Sequence, residues 1–277
     1  MISKYGEQAK ANNVIICNCC GFDSIPSDLG TLYGVLKLKE FHGKQPGEVT
    51  TYGSMRGGLS GGTLKSGILW ETDLTMQQKM SNVYLLGSGS SNGNPREQDF
   101  SGYKFDARVG SFIAPFGMAV INTRIVRRSN MLLDYGGAEF SYQEVSLAPD
   151  EATAKSMARP QPPASKKKEM VDQGRLPSPG QGPSPEMRAK SWFKMLVSVE
   201  SADKENGIWV SVSGGDPGYD ETAKMVSESA LCLALQRNSL PRQGGFLTPA
   251  AAMGSILIER LVKVDIKFQL ELPPSKL

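Results

Sequence analysis

Histidine is nearly missing from this sequence. His42 is the single one in 277 residues. A Ser-His-Asp or Cys-His nucleophile would have to use it, and its polar surroundings, FHGKQPG, do not support such a role. Long apolar runs are missing too. No stretch of about 18 apolar residues occurs, so no spanning helix is expected. The longest candidate, residues 111–121 (SFIAPFGMAVI), is short and holds a proline. The opening MISKYGEQAK is polar and no apolar segment follows it, so no secretory leader is expected. Neither sign of charge dominates: 31 basic and 28 acidic side chains leave +3, too even a balance for a nucleic-acid partner. Cysteine is scarce as well. Three of the four, Cys17, Cys19 and Cys20, fall within four residues, which excludes an ordinary disulfide framework and suits a reducing, intracellular compartment. Cys17 and Cys20 make a CxxC, but a zinc site needs further ligands and only Cys232 and His42 remain, at a distance. No metal is expected. A thioredoxin-like pair needs a thiolate at a helix N-terminus. Here the pair lies in an apolar run, where buried small hydrophobes are the better reading.

Glycine and proline are plentiful, at 30 and 17 residues, which fits a loop-rich α/β or α+β chain better than a helical bundle. After the polar opening, residues 14–20 (VIICNCC) read as a short buried strand with nothing before it to pair with. GFDSIPSDLG follows. Gly21 permits a turn, Ser24 suits a helix cap, and Pro26 suits a first helical turn. A helix then runs to about residue 39. Residues 48–56 read as a strand entering a glycine-rich loop, 64–82 as helical, and 87–102 as loop. A helix is expected after Pro115 and a strand over 138–147. Residues 158–186 hold seven prolines and a lysine run, a composition expected to form a mobile, exposed loop over about 157–188. FKMLVSVES and GIWVSVSGG alternate around ADKEN and predict a hairpin. Two helices, from about 221 to 236 and from Thr248-Pro249 onward, and a final strand IKFQLEL complete the pattern.

Several segments could carry chemistry. GSGSSNG (87–93) superficially resembles a dinucleotide fingerprint, yet Asn92 stands where the third glycine belongs and no helix-forming stretch follows; it reads as a loop. Asp23, Ser24, Ser27 and Asp28 cluster at a helix start. They are either plain caps or contacts to a ribose or substrate hydroxyl, since two carboxylates would oppose a phosphate there. In RGGLSGGT (56–63), Arg56, Ser60, Gly61 and Thr63 either cradle an anion or form an ordinary turn. Arg124, Arg127 and Arg128 share one helix face, as a grip for a carboxylate or phosphate or as a solvated basic face.

Five segments together resemble the saccharopine-dehydrogenase-like oxidoreductase family, which includes the mycobacterial trans-acting enoyl reductases. They are CGFDSIPSDLG (20–30), SGGT (60–63), APFGMAVINTRIVRRSN (114–130), GGDPGYDETAKMVSESALCLA (214–234) and GGFLTPAAAMGSILIERL (244–261). The resemblance implies a Rossmann domain that binds NAD or NADP, followed by an α/β domain with an antiparallel-rich sheet. It puts Gly21, Phe22, Asp23 and Ser24 near the cofactor cleft. Residues 1–40 are then the last strand and helix of the dinucleotide domain, and residues 41–277 the second domain. The family's glycine fingerprint would precede residue 1. Its absence predicts weak cofactor binding by this chain and an apolar sheet edge prone to homo-oligomeric association. The implied activity is hydride transfer on a small hydrophobic or lipid-derived substrate. The alternative is a non-catalytic, lipid-associated interaction module. Animal relatives of the family suggest a lipid-droplet or peripheral membrane location beside a cytoplasmic one.

Overall fold

The computed structural model describes residues 1–87 and 95–274. The fingerprint-like GSGSSNG falls, apart from Gly87, outside the described residues. In chain order the elements are α1 (Ile2–Ala11), β1 (Ile15–Cys17), α2 (Ile25–His42), β2 (Pro46–Arg56), α3 (Gly61–Thr72) and α4 (Leu74–Met80). Then come β3 (Lys104–Asp106), β4 (Ser111–Pro115), α5 (Ala119–Leu133), β5 (Ser141–Ala148), α6 (Glu151–Met157), α7 (Ala164–Asp172) and α8 (Pro185–Arg188). The chain continues with β6 (Trp192–Ser201), β7 (Gly207–Gly214), α9 (Asp220–Leu235), β8 (Gly245–Leu247), α10 (Pro249–Lys263) and β9 (Lys267–Glu271).

The expected α/β class is what forms. Seven strands make one mixed sheet in the order β3-β4-β5-β2-β6-β7-β9, antiparallel except where β2 runs parallel to β5. The predicted hairpin is β6–β7, with Phe193 opposite Gly214 and Glu200 opposite Gly207. A second, two-stranded sheet pairs β1 with β8 in parallel, Ile15 opposite Gly245 and Cys17 opposite Leu247. So the strand that had no predecessor to pair with finds its partner near the other end of the chain. The polar opening forms α1, and just beyond it the Asn12 and Val14 N–H groups donate back to the Gln8 and Ala9 carbonyls.

Helix α2 starts with Pro26 in its first turn and stops at Gly43, which takes a left-handed φ of 65° and returns its N–H to Lys39. Only glycine does this without strain. The helix is buried nearly all round because it lies between the sheet and α10. Gly30 and Gly34, one turn apart, make that approach close: a Cβ on Gly34 would sit 2.7 Å from Val199, and one on Gly30 2.9 Å from Val212. Residue 40 lies in the last turn of this helix, whose side chains Ile25, Leu29, Val35 and Leu38 belong to the same apolar cores as Phe193, Val197 and Val210 of the hairpin.

The proline-rich stretch is mostly exposed, as its composition requires, but it is not loop throughout. Ala164–Asp172 is helical and packs on α3, with Lys167 paired to Glu71. Within the lysine run, Lys167 faces α3 while Lys166 and Lys168 are exposed.

Candidate functional site

Both strands of the small sheet end beside one another, and each leads toward a helix: β1 through the turn at 18–24 into α2, β8 through Thr248 into α10. The carboxyl ends of parallel strands are where α/β sheets present loops to a ligand. Gly21, Phe22, Asp23 and Ser24 lie here.

The turn is held from outside by α9. The Phe22 N–H donates to Thr222 Oγ1 at 3.2 Å, and the Thr222 hydroxyl donates to the Pro217 carbonyl at 2.7 Å. Gly21 lies against Thr222 so closely that a Cβ would meet its methyl at 3.1 Å. The Phe22 ring stands edge-on to Phe193 with centroids 4.9 Å apart, and Phe116 packs on the same core. Asp23 projects into solvent.

Below the turn the structure corrects the capping expectation. Ser24 precedes α2, but its hydroxyl donates to Asn122 Oδ1 at 2.9 Å instead of accepting from the helix. Ser27 donates to Glu144 Oε1 at 2.8 Å, and Asn122 Nδ2 reaches the same oxygen at 3.1 Å. Asp28 accepts the Ala250 N–H at 2.8 Å and the Ser129 hydroxyl, which also meets Thr248 Oγ1 at 2.6 Å. Two wholly buried carboxyls, Asp28 and Glu144, are therefore solvated by neutral groups. Burial raises each to about 7, because the charged form loses water and gains no cation. Residues Asn122, Ser129, Glu144 and Thr222 escaped the sequence reading. Glu144 alone carried a signal: it stands two residues from Tyr142 on the inward face of β5.

The arginines of α5 are also corrected. Their side chains are buried, not a solvated face, and their terminal guanidinium nitrogens are committed, while the Nε of Arg124 and of Arg128 is buried without a partner. Arg124 holds the Met80 carbonyl at 2.6 Å and pairs with Asp99; Arg127 holds Val83 at 3.1 Å, Glu97 at 2.7 Å and Tyr142 at 3.2 Å. Arg128 holds Leu86 and, at 2.6 Å, Phe246. Carbonyls three residues apart, at 80, 83 and 86, are thus clamped onto one helix face.

The RGGLSGGT loop is packed at Gly58 and Gly61, while Arg56, Gly57, Leu59, Gly62 and Thr63 are exposed. Ser60 caps α3 by accepting the Thr63 N–H at 3.0 Å, and the Gly61 N–H goes to the Gln181 carbonyl at 2.9 Å. A Cβ on Gly61 would lie 1.9 Å from the Ser178 carbonyl oxygen, so only glycine fits under that segment. Arg56 is exposed at the end of β2, opposite Trp192.

A dinucleotide pyrophosphate needs several open backbone N–H groups at one helix start. The starts of α2, α3 and α10 do not supply them. Asp28 occupies the Ala250 N–H at α10, Asp23 and Asp28 put two carboxyls at the start of α2, and the Gly61 and Thr63 N–H groups are taken. The turn offers instead an exposed carboxylate and a half-buried aromatic ring. Among the described residues no group of three or more His, Cys, Asp or Glu could hold a metal ion, and no helix is long and apolar enough to cross a membrane.

No protein-family model matches the chain. It is 33% identical, over 298 aligned residues covering 97% of its own length and 70% of the relative's, to the "Putative trans-acting enoyl reductase" of Mycobacterium tuberculosis. To the "Trans-acting enoyl reductase" of Mycobacterium ulcerans it is 30% identical, covering 96% of itself and 69% of that protein, and to that of Mycobacterium leprae 28%, with the same coverages. Identity that runs through nearly the whole chain takes in the small parallel sheet, the β1–α2 turn and the seven-stranded sheet together. By that extent, the chain belongs to the trans-acting enoyl reductase family of oxidoreductases.

Proposed function

We propose that this chain is of the saccharopine-dehydrogenase-like type and forms the substrate side of an enoyl-reducing site. The observation that carries the reading is the place of Phe22: a half-buried ring on Phe193, beside an exposed Asp23, at the joint carboxyl ends of β1 and β8. An apolar chain can lie against that ring while a hydroxyl of the ligand bonds to the Asp23 carboxylate. The substrate is a hydrophobic, lipid-derived enoyl compound, in keeping with the relatives' names. NADH or NADPH is the reductant that such a reaction takes, and it supplies the hydride. The pyrophosphate of that reductant is not held at the α10 N-terminus, where Asp28 takes the Ala250 N–H, or at the α2 N-terminus, where Asp23 and Asp28 oppose it.

Two calorimetric titrations test the reading. A medium-chain 2-enoyl thioester is expected to bind the purified chain, and Phe22→Asp to weaken it about tenfold, or about 1.4 kcal/mol. NADPH is expected to bind no tighter than roughly millimolar, since losing two charge-assisted bonds of about 1.5–3 kcal/mol each costs a hundredfold or more. A thioester affinity untouched by Phe22→Asp would remove the substrate wall from this turn. Low-micromolar NADPH binding would show a pyrophosphate site within the chain and overturn the division of roles.

A further inference from the structure

The CxxC that the sequence reading assigned to buried hydrophobes lies in a different setting. Cys17 ends β1 and Cys20 stands in the turn just beyond it, and both are half-buried rather than sealed in the core. Between them Cys19 takes a left-handed φ of 61°. That bend, rare for a residue with a Cβ, reverses the chain so that the side chains of residues 17 and 20 meet. Their sulfurs are 3.6 Å apart. Register fixes one end of this arrangement, since Cys17 is paired opposite Leu247. Thr222, bonded to the Phe22 N–H, fixes the other.

We propose that Cys17 and Cys20 are a redox-modification site: a dithiol that a small-molecule disulfide, such as oxidised glutathione, converts to an intrachain disulfide. A disulfide needs its sulfurs at about 2.05 Å, so closure asks for roughly 1.5 Å of approach. Side-chain rotation covers that distance. The attacking group is Cys20, whose thiolate is favoured by the hydrogen bond with Cys17, while burial and the same neighbour push the Cys17 thiol up. Cys20 sulfur attacks one sulfur of the glutathione disulfide and expels glutathione thiolate. Cys17 sulfur then attacks Cys20 sulfur and expels the second glutathione. Two cysteine thiols are oxidised, one glutathione disulfide is reduced to two thiols, and the two cysteine protons leave on them. Cys19 and Cys232 are spectators: Cys232 is buried, and Cys19 is the residue about which the chain turns.

The test is thiol counting on the full chain, equilibrated with rising ratios of oxidised to reduced glutathione. Four free thiols are expected to fall to two in one step, at a ratio about tenfold or more below that which modifies Cys232. Residues 11–37 contain no lysine or arginine before Lys37, so trypsin releases all three clustered cysteines in one peptide. That peptide is expected to lose two hydrogens without gaining glutathione, and fragmentation should join 17 to 20. Cys19→Ser is expected to leave the two-thiol loss unchanged, and Cys17→Ser to leave a glutathione adduct on Cys20. Retention of four thiols, a bond joining 19 to 20, or loss of the step in Cys19→Ser would overturn the proposal. The fragmentation result on the unmodified sequence stands even if a variant fails to fold.

Discussion

Raising the pH from about 5 to about 8 should weaken this protein, against the usual trend for a chain rich in paired carboxylates. The cause is the two carboxyls beneath the β1–α2 turn. Asp28 goes from an ordinary 3.8 to about 7 on folding, and Glu144 from 4.5 to about 7. Between the unfolded and folded values the native state holds a proton that the unfolded chain has released. Stability then falls with pH, is greatest below about 4, and is lost progressively up to about 7. At about 1.4 kcal/mol per pH unit, the Asp28 shift of roughly three units amounts to about 4 kcal/mol and that of Glu144 to about 3 kcal/mol. Groups with depressed values, such as Asp203 at about 2, act with the opposite sign but titrate below this window. The assay is urea unfolding at fixed ionic strength across the range. Of the Asp28 shift, about two units, or about 2.7 kcal/mol, fall between pH 5 and 8, so with a slope of about 3 kcal/mol per molar Asp28 alone lowers the midpoint by about 0.9 M between the ends. Asp28→Asn keeps an acceptor for the Ala250 N–H and buries no charge, so it should raise the midpoint at pH 8 and remove about half of the pH dependence. A midpoint that climbs toward pH 8, or a slope that Asp28→Asn leaves intact, would refute the argument.

Other substitutions probe the packing. Gly34→Ala puts a Cβ 2.7 Å from Val199 and should lift α2 off the hairpin at a cost of about 1–3 kcal/mol, read as a lowered melting temperature. Arg127→Met strands the carbonyls of Val83, Glu97 and Tyr142, each costing about 1–3 kcal/mol when left unpaired; amide exchange over 80–87 should accelerate most. Gly61→Ala drives a Cβ into the Ser178 carbonyl and should detach the 178–181 segment, seen as faster proteolysis there while the hairpin stays protected.

The parts of the fold that could be read ahead are those whose signal is local. The hairpin alternates on both sides of a turn, and α2 carries proline at its start and glycine at its end. The short strands were missed because three residues carry no period: β8 is only GFL, and β3 only KFD. The polar opening hid α1 because its single buried side chain, Ala9, makes no stripe. At the candidate site, the turn residues are contiguous in the sequence, but the residues that support them come from α5, β5 and α9, about 100 to 200 positions away. The α5 arginines were placed on one face correctly. Their burial depends on where residues 80–86 run, which no spacing within the helix records.

The pairing of Ile15 with Gly245 joins positions 230 residues apart. In kinetic terms this is a contact of high sequence separation, whose loop-closure entropy has to be met by structure formed earlier. The hairpin and the α2 layer can assemble from nearer neighbours. The small sheet cannot, and neither can the Asp28–Ala250 bond beside it. During synthesis the β1–α2 turn therefore emerges more than 200 residues ahead of its floor and stays without it until residue 250 has left the ribosome. A chain stopped short of β8 would keep most of its large sheet while β1 had no partner strand and Asp28 no Ala250 N–H to accept.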